Sequence, residues 1–165
     1  MDSFVQATSL YLTEGSLTWA LIVSALLGAI LGLERSIAGK HAGMRTYALV
    51  SLGSCLFVII GILSSFQLSF FSSISPLQIA SSVVVGIGFI GSGLAVFRGD
   101  HPSELTTATG IWVAAGIGMA CGFGYYFLAT ATTILGLIIF SLLLKFENAL
   151  RKRWSSSPQG GKNNE

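Results

Sequence analysis

Glu34, Arg35, Lys40 and Arg45 fall within twelve positions of a chain in which only 10% of residues are charged. The segment that carries them, Gly32-Leu-Glu-Arg-Ser-Ile-Ala-Gly-Lys-His-Ala-Gly-Met-Arg-Thr46, is a short polar hinge between two apolar runs. A carboxylate and guanidinium groups this close in sequence can pair with one another, hold a hydrated cation, or anchor the chain at a lipid surface. A carboxylate beside hydrocarbon needs a partner. Arg45 is the expected partner for Glu34, because the hinge brings two helix ends together. Further on, Arg98, Asp100, Glu104, Thr106 and Thr107 bracket a second polar break. Glu34 and Arg45 are thus the candidate functional pair, with Arg35, Thr46, Arg98, Thr106 and Thr107 as the rim around it. Arg35, Lys40 and Arg98 equally suit lipid anchoring, their heads snorkelling to headgroups.

The other reactive residues form no catalytic set. His41 and His101 lie in polar breaks with no nucleophile elbow, HExxH pattern or phosphate loop nearby, so an enzyme is not expected. Magnesium is usually held through one or two carboxylates plus waters. Glu34, Asp100 and Glu104 have the right chemistry, but their spacing does not make them converge, and no metal site or cofactor is expected. Cys55 and Cys121 lack CxxC spacing and read as small apolar packing residues. Gly86-Ile-Gly88-Phe-Ile-Gly91-Ser-Gly93 spells GxGxxG, but it sits inside an apolar run and the next acids come too early, so the dinucleotide reading fails on context.

The elements that position the rim follow from hydropathy. Mean hydropathy is +0.76 and 52% of residues are apolar, whereas soluble domains carry about 25% charged residues. Crossing a bilayer takes roughly 20 apolar residues, and five windows qualify or nearly so: 17–33, 46–66, 77–97, 105–121 and 125–146. The expectation is an all-α polytopic membrane protein, a bundle of about five transmembrane helices. Residues 1–16 are expected as an interfacial segment without a removable signal peptide, and residues 147–165 as a largely disordered tail. The nine basic residues are Arg35, Lys40, Arg45, Arg98, Lys145, Arg151, Lys152, Arg153 and Lys162. Five spans put all of them on one side, and the positive-inside rule makes that side the cytoplasm, with the amino terminus outside. None of the seven acidic residues lies at mid-span, which argues against an intramembrane carboxylate relay.

Glycine placement predicts the packing. Ala20, Ser24, Gly28 and Gly32 recur every four residues in the first span, as do Gly110, Ala114, Gly118 and Gly122 in the fourth. In lipid, small-residue stripes let helix backbones approach and drive association, so these two spans are expected inside and the Leu- and Ile-rich fifth span at the periphery. In the third span Ser82, Gly86 and Gly93 share one face, with Gly88 and Gly91 opposite. That helix is expected to sit between two neighbours; the alternative is a local break that exposes backbone carbonyls to a cavity.

Three segments together resemble the MgtC/SapB family of bacterial membrane proteins: Gly32-Leu-Glu-Arg with Ala42-Gly-Met-Arg-Thr-Tyr-Ala-Leu-Val50, then Gln78 to Gly93, then Leu105-Thr-Thr-Ala-Thr-Gly-Ile-Trp-Val-Ala-Ala-Gly-Ile-Gly118. They cover roughly Leu17–Tyr126. The resemblance implies a multi-pass inner-membrane protein linked to growth under magnesium limitation, with an accessory or regulatory role exerted on other membrane proteins. It carries over Glu34, Arg35, Gly43, Arg45, Thr46, Thr106, Thr107, Trp112 and the glycines of the third span as motif residues. Ser103-Glu104 departs from the family pattern, and functions of the cytoplasmic domain of longer members do not carry over. The expected partners are the lipid bilayer and another membrane protein or a second copy of the chain. Nucleic acid is not expected. The rival reading is a small oligomeric ion channel or carrier whose inlet is the rim.

Overall fold

The computed structural model of the protein describes residues 14–67, 75–96 and 103–143. They form α1 (Glu14–Ile37), α2 (Met44–Gln67), α3 (Pro76–Val96), α4 (Ser103–Gly122) and α5 (Tyr126–Ile138), the last running on as a π-helical turn, Ile139–Leu143. No strand occurs among the described residues. Most of the amino-terminal segment and of the loop before α3, together with Arg98, Asp100, His101 and the tail, lie outside them.

The helix ends have local causes. Gly39 adopts φ +68 and Gly124 φ +79, a left-handed conformation that glycine enters without a Cβ penalty. After α1, Gly39 N–H donates to Ser36 O at 3.1 Å and Lys40 N–H to Arg35 O at 3.0 Å. After α4, Gly124 N–H donates to Cys121 O and Tyr125 N–H to Ala120 O. Both are Schellman closures, which satisfy the last carbonyls of a helix. At the start of α3, the Ser75 hydroxyl accepts the Leu77 N–H at 3.3 Å, and Pro76 occupies the first helical position, where its missing N–H costs nothing. The start of α2 is capped from outside its own sequence. Ser36 Oγ, on the last turn of α1, accepts the Met44 N–H at 2.9 Å while donating to Gly32 O at 3.2 Å.

Four helices, α1 to α4, are long and apolar enough to cross a membrane, and Tyr126–Leu142 is a shorter apolar segment. At about 1.5 Å per residue, the 24 residues of α1 extend about 36 Å, more than the roughly 30 Å hydrocarbon core. Large apolar side chains point outward around the bundle: Phe89 is 82% exposed and Phe127 88%. An outer surface of that kind suits lipid. The molecule is an all-α polytopic membrane protein.

Inside, α4 is the most enclosed helix. Ile111, Ala114, Ile117 and Cys121 are fully or almost fully buried against α2 and its neighbours. Here the structure adds something the small-residue pattern did not indicate: α2 is the common contact of α1, α3 and α4. Its inward stripe is Tyr47, Ser51, Cys55 and Val58, all at 0% exposure. A large aromatic, Tyr47, opens this stripe and the branched Val58 closes it, which hides it from a search for small residues.

Glycines make these contacts possible. A Cβ on Gly28 would lie 2.6 Å from Tyr47 O, and one on Gly32 2.7 Å from Tyr47 Cβ. A Cβ on Gly118 would collide with the Ser51 carbonyl. The third span departs from expectation. Gly86, Gly88 and Gly93 have nothing within 4 Å of a Cβ position, and Gly91 meets only Ala108 at 3.7 Å. The helix leans on α2 and α4 by another flank, Gly61 of α2 lying against Ile79. Its two glycine faces are therefore not both covered among the described residues. An open groove of about 520 Å³ separates α3 from α2, with Gly53 and Ser54 facing Gly86 and Ile90.

Candidate functional site

The hinge end of the bundle gathers the last turn of α1, the first turns of α2 and α4, and the π-helical end of α5. Arg35, on the last turn of α1, is only 2% exposed. A buried guanidinium needs compensating groups. It has two. Its Nε donates to Glu34 Oε2 at 2.5 Å, and its planar head stacks on the Phe140 ring, Cζ lying 3.8 Å from the ring centroid. Stacking of this kind contributes about 0.5–2 kcal/mol, the upper end when desolvated. The negative end of the α1 dipole adds a favourable field at the same turn.

Phe140 reaches Arg35 through the π turn, whose extra residue per turn re-aims side chains at the end of a helix. Its ring also presses on α4: a Cβ on Gly110 would lie 2.8 Å from Phe140 Cζ and would collide with the Tyr47 hydroxyl. Gly110 is thus the recess into which both rings fit. Tyr47, wholly buried, donates its hydroxyl to Thr107 O at 3.3 Å. Arg35, Phe140, Gly110, Tyr47 and Thr107 form one continuous junction across four helices. The side-chain hydroxyls of Thr107 and Ser51, both at 0% exposure, have no hydrogen-bond partner among the described residues.

The expected partner of Glu34 is corrected. Glu34 pairs with its sequence neighbour Arg35, whereas Arg45 is exposed and has no recorded ion pair among the described residues. The reason is rotational. Arg45 lies on the first turn of α2 on the side away from α1, since the face of α2 that meets α1 is that of Tyr47, which packs on Gly28 and Gly32. Thr46 is half-buried and Thr106 exposed, while Thr107, one position on, is enclosed. Among the described residues, no three His, Cys, Asp or Glu side chains converge as a metal-holding group. Glu34 borders a groove of about 540 Å³ between α1 and the end of α5, with Leu33, Ile37, Leu137 and Ser141 among its walls.

Three contributors had no clear sequence signal. Phe140 is one aromatic in a long apolar run, and Tyr47 follows the hinge without any charge pattern marking it. Ser36 carries neither charge nor ring to single it out within the hinge. A serine a few residues before a helix start, with glycine directly ahead of that start, is the one clue available, since a Cβ on Gly43 would collide with Ser36 Oγ.

The family model described as MgtC family matches residues 21–149. The protein named "Putative magnesium transporter YhiD" of Escherichia coli (strain K12) is 38% identical over 125 residues, 74% of this chain and 58% of that protein. Protein MgtC of Salmonella typhimurium (strain LT2) is 38% identical over 125 residues, 76% of this chain and 51% of its own length. A protein of Haemophilus influenzae is 34% identical over 138 residues, 81% of this chain and 56% of its own. The chain thus spans between half and three-fifths of the length of these curated relatives. No solved structure matches it. With the hinge, the third-span glycines and the α4 motif all inside the matched range, the chain belongs to the MgtC family.

Proposed function

We propose that this chain is a multi-pass protein of the bacterial inner membrane, amino terminus outside and carboxyl terminus in the cytoplasm. Its role is accessory or regulatory in adaptation to low magnesium, exerted through helix contacts with another membrane protein or with a second copy of itself. The magnesium link comes from family membership and from the magnesium-related name of one relative. The observation that carries the contact reading is the bare glycine positions on two faces of α3, Gly86 and Gly93 on one and Gly88 on the other, where a Cβ would meet nothing. In lipid, where apolar burial gives helices little reason to associate, small-residue faces are what draws them together. In this reading the chain binds lipid and a partner helix, and takes no nucleic acid, cofactor or chemical substrate.

The test is complementation of low-magnesium growth together with affinity purification of the full chain in mild detergent. Gly86→Leu and Gly88→Leu should leave the isolated chain folded while abolishing both growth support and co-purification. Normal growth and an unchanged set of co-purifying membrane proteins would rule the reading out.

A second reading, a small ion channel or carrier with its inlet at the rim, is favoured by the burial of Arg35 beside Glu34. Charged residues at membrane depth often mark ion paths. Magnesium flux from liposomes containing only the purified chain would decide for this second reading, and its absence for the first.

A further inference from the structure

We infer that the groove beside Glu34 binds a membrane phospholipid with a primary-ammonium headgroup, the ammonium pairing with Glu34 and an acyl chain lying between α1 and α5. The proposal stands on the membrane fold and needs neither the magnesium role nor a partner protein. It starts from how the Arg35–Glu34 pair is placed. The Arg35 side chain is almost wholly enclosed, while that of Glu34 stays partly accessible. Arg35 is turned inward, its head over the Phe140 ring, and it meets Glu34 through Nε on one carboxylate oxygen, Oε2. The group that borders the groove of about 540 Å³ is therefore the carboxylate, and no basic side chain lines that groove among the described residues.

The other walls select the kind of cation. α1 and α5 run in the same direction, Leu31 lying against Gly136 and Arg35 against Phe140. Ile30 and Leu137 thus line the groove about one turn closer to the middle of the bundle than Glu34 and Ser141 do. Leu33 is 46% exposed and Ile37 80%, so apolar surface flanks the carboxylate on both sides along α1. A carboxylate in such surroundings is costly unless it is paired and hydrogen-bonded. A hydrated metal ion would answer the oxygens and leave the apolar walls bare. An ammonium carried on acyl chains answers both, with three N–H donors for the carboxylate. Ser141, on the opposite wall, supplies a hydroxyl donor for the lipid phosphate.

The experiment is native mass spectrometry of the full chain in detergent with added phospholipids of identical acyl chains. Phosphatidylethanolamine should be retained about tenfold more than phosphatidylglycerol or phosphatidylcholine, the worth of one charge-assisted hydrogen bond. Phosphatidylcholine is the sharper control, since its methylated nitrogen carries the charge but has no N–H to donate. Glu34→Gln should erase the preference. Equal retention of the three lipids, or a preference that survives Glu34→Gln, overturns the proposal. A second measurement needs no variant. In phosphatidylethanolamine liposomes, an apolar carbodiimide should couple the Glu34 carboxyl to the lipid amine, read as a lipid-sized mass addition on the peptide that holds Glu34. No such adduct, or coupling of Glu34 to a lysine of this or another chain, overturns it as well.

Discussion

The guanidinium of Arg35 lies over the ring of Phe140 with 3.8 Å between its central carbon and the ring centroid. This contact ties the end of α1 to the π-helical end of α5, two elements separated by about a hundred residues of chain. The ion pair with Glu34 is intimate but lopsided: the Arg35 side chain is 3% accessible and that of Glu34 17%.

The lopsidedness makes a prediction. Glu34→Gln strands a buried guanidinium and should destabilise by about 3–5 kcal/mol, the usual result of breaking a buried pair. Arg35→Gln leaves Glu34 able to turn into its groove, and should cost less by its charge and something more through the lost ring contact. In a double-mutant cycle on melting temperature, Glu34→Gln should couple to Arg35→Gln and be additive with Arg45→Gln. Coupling to Arg45 instead would show that the pair exchanges partners in the membrane.

Glycine-to-alanine substitutions should divide by what a Cβ meets. At Gly28 and Gly118 it meets backbone of α2, which cannot yield, so each should cost about 1–3 kcal/mol, as overpacking does. At Gly136 it meets the Leu31 methyl at 2.9 Å, the end of a side chain that can shift, and the effect should be milder. At Gly86 and Gly88 nothing is met, and alanine should be neutral or should stabilise by up to about 1 kcal/mol through helix propensity. Thermal melts of the detergent-solubilised chain check the order, and equal losses at all five positions would contradict the packing described here.

Ser36→Ala should lower stability by about 0.5–2 kcal/mol, the cost of a lost helix cap, because the first turn of α2 then loses its acceptor at the Met44 N–H. The same change at the exposed Ser92, which bonds only the Phe89 carbonyl of its own helix, should do little. Paired melting curves of the two variants measure this.

For topology, reporter fusions after Ser72 and after Trp154 should read outside and inside respectively, following the one-sided placement of the basic residues. A cytoplasmic Ser72 would reverse or break the five-span arrangement.

Much of this molecule was decided locally and is therefore readable from the chain. Long apolar runs make helices wherever lipid is the solvent, because every backbone polar group must be paired within its own segment. Their ends are marked by residues with local backbone effects, such as Gly39, Gly124 and Pro76. The small-residue stripes of α1 and α4 were visible for the same reason, being a four-residue period on a single helix. The rotation of each helix about its axis, and what stands opposite, was set only by packing. Gly28 and Gly86 belong to similar patterns, yet one receives the Tyr47 backbone and the other faces an open groove. Glu34 had two arginines within reach of its chain position, and the Gly110 recess, which admits both Tyr47 and Phe140, put Arg35 inside with its partners. Arg45 stayed on the outer face of α2, because Tyr47 occupies the inner one. A stripe tells how closely a neighbour can come; the neighbour itself is chosen by the fit of all the helices at once.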